Sequence, residues 1–420
     1  DTDVWAFDGQ VPGPEIRVRQ GERLRVVLEN RLTQDTSVHW HGIRLPHAMD
    51  GVPHLTQAPV KPGETFTYDF VCPDAGTFWY HPHARSFEQV GRGLYGALIV
   101  EEPSPPFVDR EWVWVLDDWR LNANASLTED FGNFFDMSHN GQVGNTVTIN
   151  GRIPDRIGVR AGERIRLRLI NVANARIFGP AFPGLRATVI AIDGQPVEPH
   201  LAADGKVVLG PGMRADVILD MSGRPGDSLS IVDGFYRQLP YKLVDLAYGA
   251  EAPLERPALG AVRLPANPLP EPDMARAERH DVVLGGGMMG GMMAATVDGK
   301  RVEMRAMMQQ GLAWAINGVA AHGHTKMTPM LTLQQGQSHV LAIRNDTAWH
   351  HTMHPHGHSF RVLTREGQAT SHREWQATIL MAPRGRADIA FLADTPGDWM
   401  FHCHMLEHQD GGMMGIIRVT

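Results

Sequence analysis

The sequence predicts an all-β chain folded as three β-sandwich domains, and three observations carry that prediction. At 420 residues the chain is too long for one ordinary core. Its 44 Gly and 29 Pro punctuate many short Val/Ile/Thr-rich runs, the pattern of strands joined by turns. Finally, one motif occurs three times. Pro14 to Gly21 runs on to Asn30, Pro154 to Gly162 runs on to Asn171, and Pro329 to Gly336 runs on to Asn345, with nine residues from Gly to Asn each time. Copies this widely spaced mark duplicated domains rather than a solenoid. The expected division is residues 1–104, 105–265 and 266–420.

The copies share their second halves as well, and here the three part company. In the first, Pro62-Gly63 leads to Gly76 and then His81-Pro82-His83, while His39-Trp40-His41 stands nine residues after Asn30. In the last, Pro383-Arg384-Gly385 leads to Gly397 and His402-Cys403-His404, and His354-Pro355-His356 stands nine residues after Asn345. In the middle, Pro211-Gly212 leads to Gly226 and Ile231-Val232-Asp233, and Pro180 follows Asn171 by nine. The outer domains therefore hold four H-x-H pairs and the middle one holds none. On a strand, both imidazoles of such a pair face the same way. Packing the outer domains together would gather eight imidazoles around one cavity, enough for about three metal ions with positions left open. The middle domain reads as a spacer that keeps the outer two in register.

A second metal site is written around Cys403. A blue-copper centre needs a thiolate, two imidazoles and a weak axial thioether. Cys403, His408 and Met413 supply three of these, and the second His must come from elsewhere. If Cys403 faces one metal, strand alternation turns His402 and His404 away from it, towards the eight-imidazole site. Single electrons could then cross one short stretch of backbone. With Cys403 used as a ligand, Cys72 has no disulfide partner and is read as a small buried apolar residue.

Charge and hydropathy narrow the function class. The formal net charge is −8 with acidic and basic residues interspersed, so no basic stripe argues for nucleic acid. Apolar runs such as Leu94 to Val100 are too short to span a bilayer. No signal peptide is seen. The expectation is a processed chain acting in the periplasm or outside the cell, as a monomer.

The four motifs together resemble those of the three-domain multicopper oxidases, of the laccase and bacterial cuprous-oxidase kind. They are His39-Trp40-His41-Gly42, His81-Pro82-His83, His351-Thr-Met-His354-Pro-His356-Gly357, and His402-Cys403-His404 through His408 to Met413. The resemblance covers essentially the whole chain. It implies three cupredoxin-like Greek-key β-sandwiches and four copper ions: one type 1, one type 2 and two type 3. Carried over residue by residue, His351, Cys403 and His408 would hold type 1 copper, with Met413 axial. His39 and His354 would hold type 2. His41, His81, His83, His356, His402 and His404 would hold the type 3 pair. The implied reaction couples four one-electron oxidations at type 1 copper, where Cys403 takes up the electrons and His402 and His404 relay them, to reduction of dioxygen to water.

Some neighbours need a decision. His350 competes with His351, but only His351 gives the His-x-x-His-x-His spacing; His358 is read as a non-ligand. Asp50 stands where such proteins often have a proton-donating acid, and equally reads as an Asp-Gly turn with Gly51. Gln409 replaces the Glu that often follows the last type 1 His, with Glu407 and Asp410 alongside. Ala84-Arg85 follows His83 where a further His-Gly is more usual, which leaves the ligands intact.

The electron donor is approached through methionine. Met288, Met289, Met292, Met293, Met304, Met307 and Met308 lie in a Gly-rich segment, 287–308, early in the third domain. Thioethers prefer Cu(I), and cuprous oxidases of copper tolerance carry a Met-rich insertion in this place. The segment is expected to be mobile and to offer substrate Cu(I) to the type 1 site. His322 and His324 could join it, although a surface loop is the preferred reading. The leading expectation is an oxidase of Cu(I), phenols and aromatic amines. The alternatives are a laccase of aromatic substrates only, and a copper-sequestering protein.

Overall fold

The computed structural model describes residues 2–255, 259–321, 323, 328–372 and 374–420. His322 and His324 lie outside the described residues. The strands form sheets that fall into three groups along the chain. In the first, Gly13–Arg19, Gly96–Glu101, Gly76–His81 and His39–His41 lie side by side in that order, and Arg23–Glu29 pairs with Thr65–Val71. The second has a six-stranded and a four-stranded sheet between Arg110 and Tyr248. In the third, a sheet built on Glu278–Gly286 and Ser338–Asn345 accompanies one in which Gly397–Cys403 lies between His351–Pro355 and Met414–Val419. Each group has its own buried apolar core. These are the expected three sandwiches.

The repeated Asn has the same task in every copy, which explains its fixed spacing. Its side-chain amide donates to two loop carbonyls: Gln34 and Val60 from Asn30, Arg176 and Leu209 from Asn171, Trp349 and Ala382 from Asn345. Its Oδ1 accepts from the backbone N–H two residues on, at Leu32, Ala173 and Thr347. One side chain thus satisfies three backbone groups where a strand ends and no ladder can do so.

The middle group shows how it is held to the first. Its strand Arg164–Asn171 alternates Arg with Ile and Leu, a pattern that ordinarily leaves one face wet. Here every residue of it is buried. Arg166 forms ion pairs with Glu102 and Asp216, both at 2.6 Å. Arg168 reaches Asp216 at 3.0 Å and Glu111 at 2.8 Å. Thr77 of the first group donates to Asp216 at 2.6 Å. Guanidiniums buried this deeply persist only when paired on several sides.

Cys72 is free and buried in the core of the first group. Burial pushes its thiol up to about 12, so it behaves as a small apolar side chain.

Candidate metal centre

The histidine pairs meet because the strands that carry them pair in matching register. In the first group His39 lies opposite His81, and in the third His354 lies opposite His402. Gly42 ends the first motif at φ +85°, and a Cβ there would sit 2.1 Å from the Arg214 guanidinium. Gly357 ends the third at φ +71°, where a Cβ would run into the Trp399 ring at 2.5 Å. Both turns therefore require glycine.

All eight imidazoles are buried. His39 stacks on His356 and His41 stacks on His354, with ring centroids 4.0 and 3.9 Å apart, which interleaves the two outer groups. Candidate metal clusters form from His39, His41 and His81, from His39, His354 and His356, and from His83, His356 and His402. His81 Nε2 lies 3.4 Å from His404 Nε2.

The ring nitrogens turned away from the cluster are fixed by hydrogen bonds. His39 Nδ1 donates to the Asp50 carbonyl at 2.7 Å, His354 Nδ1 to the Ala377 carbonyl at 2.5 Å, and His81 Nδ1 to the Pro82 carbonyl at 2.9 Å. His356 Nδ1 lies 2.8 Å from the Asp50 carboxylate, and His41 Nε2 lies 2.9 Å from the Thr378 hydroxyl. What remains is His39 Nε2, His354 Nε2 and His41 Nδ1, buried and without a hydrogen-bond partner. Buried polar nitrogens left bare while their opposite nitrogens are anchored are what metal ligation requires. Burial first, and neighbouring imidazoles second, hold His41, His81, His83, His354, His356 and His404 well below the usual imidazole range. They are neutral, the form that binds metal.

The second centre lies on the other side of the same strand. His351 Nδ1 is 3.5 Å and His408 Nδ1 3.8 Å from Cys403 Sγ, and the two nitrogens are 3.1 Å apart. The spacing choice of His351 is the one the fold makes; His350 turns instead to the Phe235 ring. Met413 is buried in the apolar cluster that contains Cys403, and its carbonyl accepts from the Cys403 N–H. His351 is braced by the Thr347 hydroxyl at 2.9 Å, and His408 Nε2 donates to the His139 carbonyl at 2.9 Å. Trp314 lies against both rings. Burial draws His408 down to about 3 and pushes the Cys403 thiol up to about 12. Only a bound cation turns such a thiol into a thiolate ligand. Two imidazoles and a thiolate beside a buried thioether suit copper of the blue type.

The ambiguous neighbours take distinct places. Asp50 follows the short helical turn His47–Met49 and is buried against both His39 and His356; a Cβ on Gly51 would strike the Val38 carbonyl at 1.9 Å. It is at once the Asp-Gly turn and a neighbour of the metal cluster. His358 Nδ1 bonds the His356 carbonyl, and no candidate cluster among the described residues includes it. Gln409 is buried, and Glu407 is buried with Oε1 accepting from Asn174 at 2.9 Å; burial raises the Glu407 carboxyl to about 7.

The methionine segment departs from the sequence expectation. Its later part forms a hairpin, Ala294–Val297 with Lys300–Glu303, followed by a short helix Met304–Met308. Met307 is fully buried at the centre of a small core with Leu312 and Ala315, and Met292 packs beside it, because that helix has one face to cover. Met304 and Met308 are half-buried. Met288, Met289 and Met293 are exposed.

Thr347, Thr378, His139 and Asp193 brace the ligands, yet none carries a local motif that a sequence reading could find. An apolar cavity of about 1030 Å³ opens beside His139, lined also by Phe135, Tyr236, Leu239 and Trp349.

Comparison with known proteins adds to this geometry. Multicopper oxidase family models match residues 1–105, 110–238 and 298–420. The chain is 30% identical to the multicopper oxidase MmcO of Mycobacterium tuberculosis, over 97% of this chain and 81% of that protein. It is 26% identical to copper resistance protein A of Escherichia coli, over 98% and 89% respectively. The crystal structure of a multi-copper oxidase from Pseudomonas thermotolerans superposes with a TM-score of 0.86 at 34% identity, covering 99% of this chain and 94% of that one.

Proposed function

The chain belongs to the multicopper oxidase family and is an oxidoreductase, and from that premise we propose how its ligands divide and what it oxidises. His351, Cys403 and His408 hold type 1 copper with Met413 beside them. His39 and His354, whose Nε2 atoms are bare, hold type 2. His41, His81 and His404 hold one type 3 ion, and His83, His356 and His402 hold the other. Copper bound in these places supplies one-electron redox chemistry and open positions for dioxygen. The remaining work belongs to the chain. The backbone on either side of Cys403 leads straight to His402 and His404, and the Cys403 carbonyl accepts from His402 Nδ1 at 2.9 Å. This gives electrons a covalent and a hydrogen-bonded route inwards. Asp50, in contact with two ligands, is the group placed to hand protons to the inner site.

For the donor we propose Cu(I), delivered by the exposed thioethers of Met288 and Met289, in a role in copper tolerance outside the cytoplasm. One observation carries this. The Met288 N–H donates to the Ser138 carbonyl at 2.9 Å, and the next carbonyl, that of His139, accepts from His408. The Trp349 indole also donates to the Met288 carbonyl at 2.8 Å. The methionine turn is thereby fastened to the rim of the type 1 site. The apolar cavity beside His139 favours a second activity, on phenols and aromatic amines, whose rings suit its aromatic lining.

Oxygen uptake with Cu(I) and with a phenol, in the native chain and in a Met288→Ala/Met289→Ala variant, tests the proposal. Point substitution is the right probe, because removal of the whole segment would strip Met307 from its core. Loss of Cu(I) turnover alone supports the reading. Unchanged Cu(I) turnover in the variant overturns delivery by Met288 and Met289, uptake with the phenol alone in the native chain leaves a laccase acting on aromatic substrates, and no uptake with either donor leaves a copper-sequestering protein.

A further inference from the structure

A third group of metal-binding side chains stands apart from the copper centres, at the start of the third sandwich. Glu278 and His280 alternate on the first turn-free stretch of Glu278–Gly286, so both face the same side. The parallel neighbour Ser338–Asn345 brings His339 level with Glu278. His280 Nε2 and His339 Nδ1 point at one another across 3.1 Å. Glu278 Oε2 lies 4.0 Å from each of them. Among the described residues this is the one candidate metal cluster that holds none of the proposed copper ligands.

We infer that Glu278, His280 and His339 form a site for a borderline divalent ion, zinc or Cu(II), separate from the four coppers. The separation of the imidazole nitrogens equals that of His351 and His408, also 3.1 Å, in the type 1 cluster. Metal–nitrogen bonds of about 2.0–2.1 Å spanning that gap would meet at roughly 100°, close to the tetrahedral angle. The carboxylate must close in by roughly 0.6 Å to reach the separation that metal bonds of about 2.0–2.2 Å at a tetrahedral angle require. Glu278 can do so, since its side chain is 64% exposed and otherwise unconstrained by packing, whereas His339 is 1% exposed and fixed. Two nitrogens and one oxygen leave at least one position to water, the composition of an open zinc site.

The location gives such an ion a structural effect. Glu278 begins the third sandwich directly after the segment that leads out of the middle one, and the Asp273 N–H there donates to the Ser338 hydroxyl at 2.8 Å, one residue from His339. An ion here would clamp the incoming chain to the sheet and stabilise the native state by mass action.

The alternative is a plain N–H···N hydrogen bond between two neutral imidazoles, and metal content separates the two. Copper-replete protein, washed with a chelator that removes loosely held metal, is dialysed against micromolar Zn(II) and its zinc counted by mass spectrometry. The native chain is expected to retain one more zinc than His280→Gln, and zinc absorption fine structure is expected to report two imidazoles. Glu278→Gln, a surface change that leaves the fold intact, is expected to weaken zinc binding about tenfold or more. An intact blue absorption band in each variant certifies folding. Equal zinc content in native and His280→Gln proteins, or an affinity unmoved in Glu278→Gln, overturns the inference.

Discussion

Asp193, in the middle sandwich, accepts from the Thr378 N–H of the third sandwich at 2.8 Å, and its same oxygen accepts from Ala377 N–H at 2.9 Å. Those two residues brace ligands: the Ala377 carbonyl holds His354 and the Thr378 hydroxyl holds His41. Asp193 also meets Arg214, whose guanidinium donates to the Thr77 carbonyl of the first sandwich and packs on Gly42. A domain with no ligand of its own thus sets the relative position of ligands from both others. Asp193→Ala is expected to lower oxygen turnover about 10–100-fold while the blue band stays, as for other partners of metal ligands. Turnover within twofold of native, with full copper content, would refute that role.

Asp50 is open to a sharper separation, because two substitutions divide its two tasks. Its carboxylate accepts from His356 Nδ1 at 2.8 Å. Asp50→Asn retains an oxygen that can accept this bond but cannot pass a proton. Asp50→Ala retains neither. Both variants are expected to keep the blue absorption, Asn is expected to keep its copper, and both are expected to lose at least about tenfold in oxygen turnover. If Asn restores native turnover, Asp50 only orients His356.

Cys403 and His81 lie on opposite sides of the electron route. Cys403→Ser is expected to abolish the blue charge-transfer absorption and oxidase activity while the inner copper stays bound. His81→Ala is expected to keep the blue colour and stop dioxygen reduction. Absorption spectra, copper content and oxygen uptake on the same samples check both, and a blue Cys403→Ser protein would show the thiolate assignment to be wrong.

The clustering of the histidines was legible in the sequence because strand alternation is a local rule: His39 and His41 must share a face wherever the strand goes. The repeated Asn was legible as a spacing, although its task, tying three backbone groups, needed the loops in place. What stayed hidden depends on partners remote in the chain. Arg166 and Arg168 look like the wet face of a strand and are instead buried against Glu102 and Asp216. Met307 looks like one of seven equivalent thioethers and is instead a core residue, since only the packed hairpin decides which side of Met304–Met308 is covered. Thr378 and Asp193 act through single contacts between sandwiches, which no periodicity announces.

Asp117, at the junction of the first and middle sandwiches, makes stability depend on pH in a direction that can be worked out. It is buried, its Oδ2 lies 2.6 Å from the Tyr95 hydroxyl, and its Oδ1 accepts from the Asp118 N–H at 2.8 Å. Burial, with the Asp118 charge second, raises its carboxyl from 3.8 to about 8. The fold therefore favours the neutral acid, and a raised value means that its contribution is complete below the unfolded value and lost as pH rises towards 8. Asp117→Asn cannot ionise. Its amide can donate to the Tyr95 hydroxyl, which rotates to accept, while its oxygen keeps the Asp118 bond. Thermal unfolding at pH 5, 7 and 9 should show Asp117→Asn gaining on the native chain as pH increases, with the difference in Tm growing more between 5 and 7 than between 7 and 9, because the dependence levels off above about 8. Two curves that stay parallel across that range would mean that Asp117 is ionised throughout, and that its burial is compensated by something other than protonation.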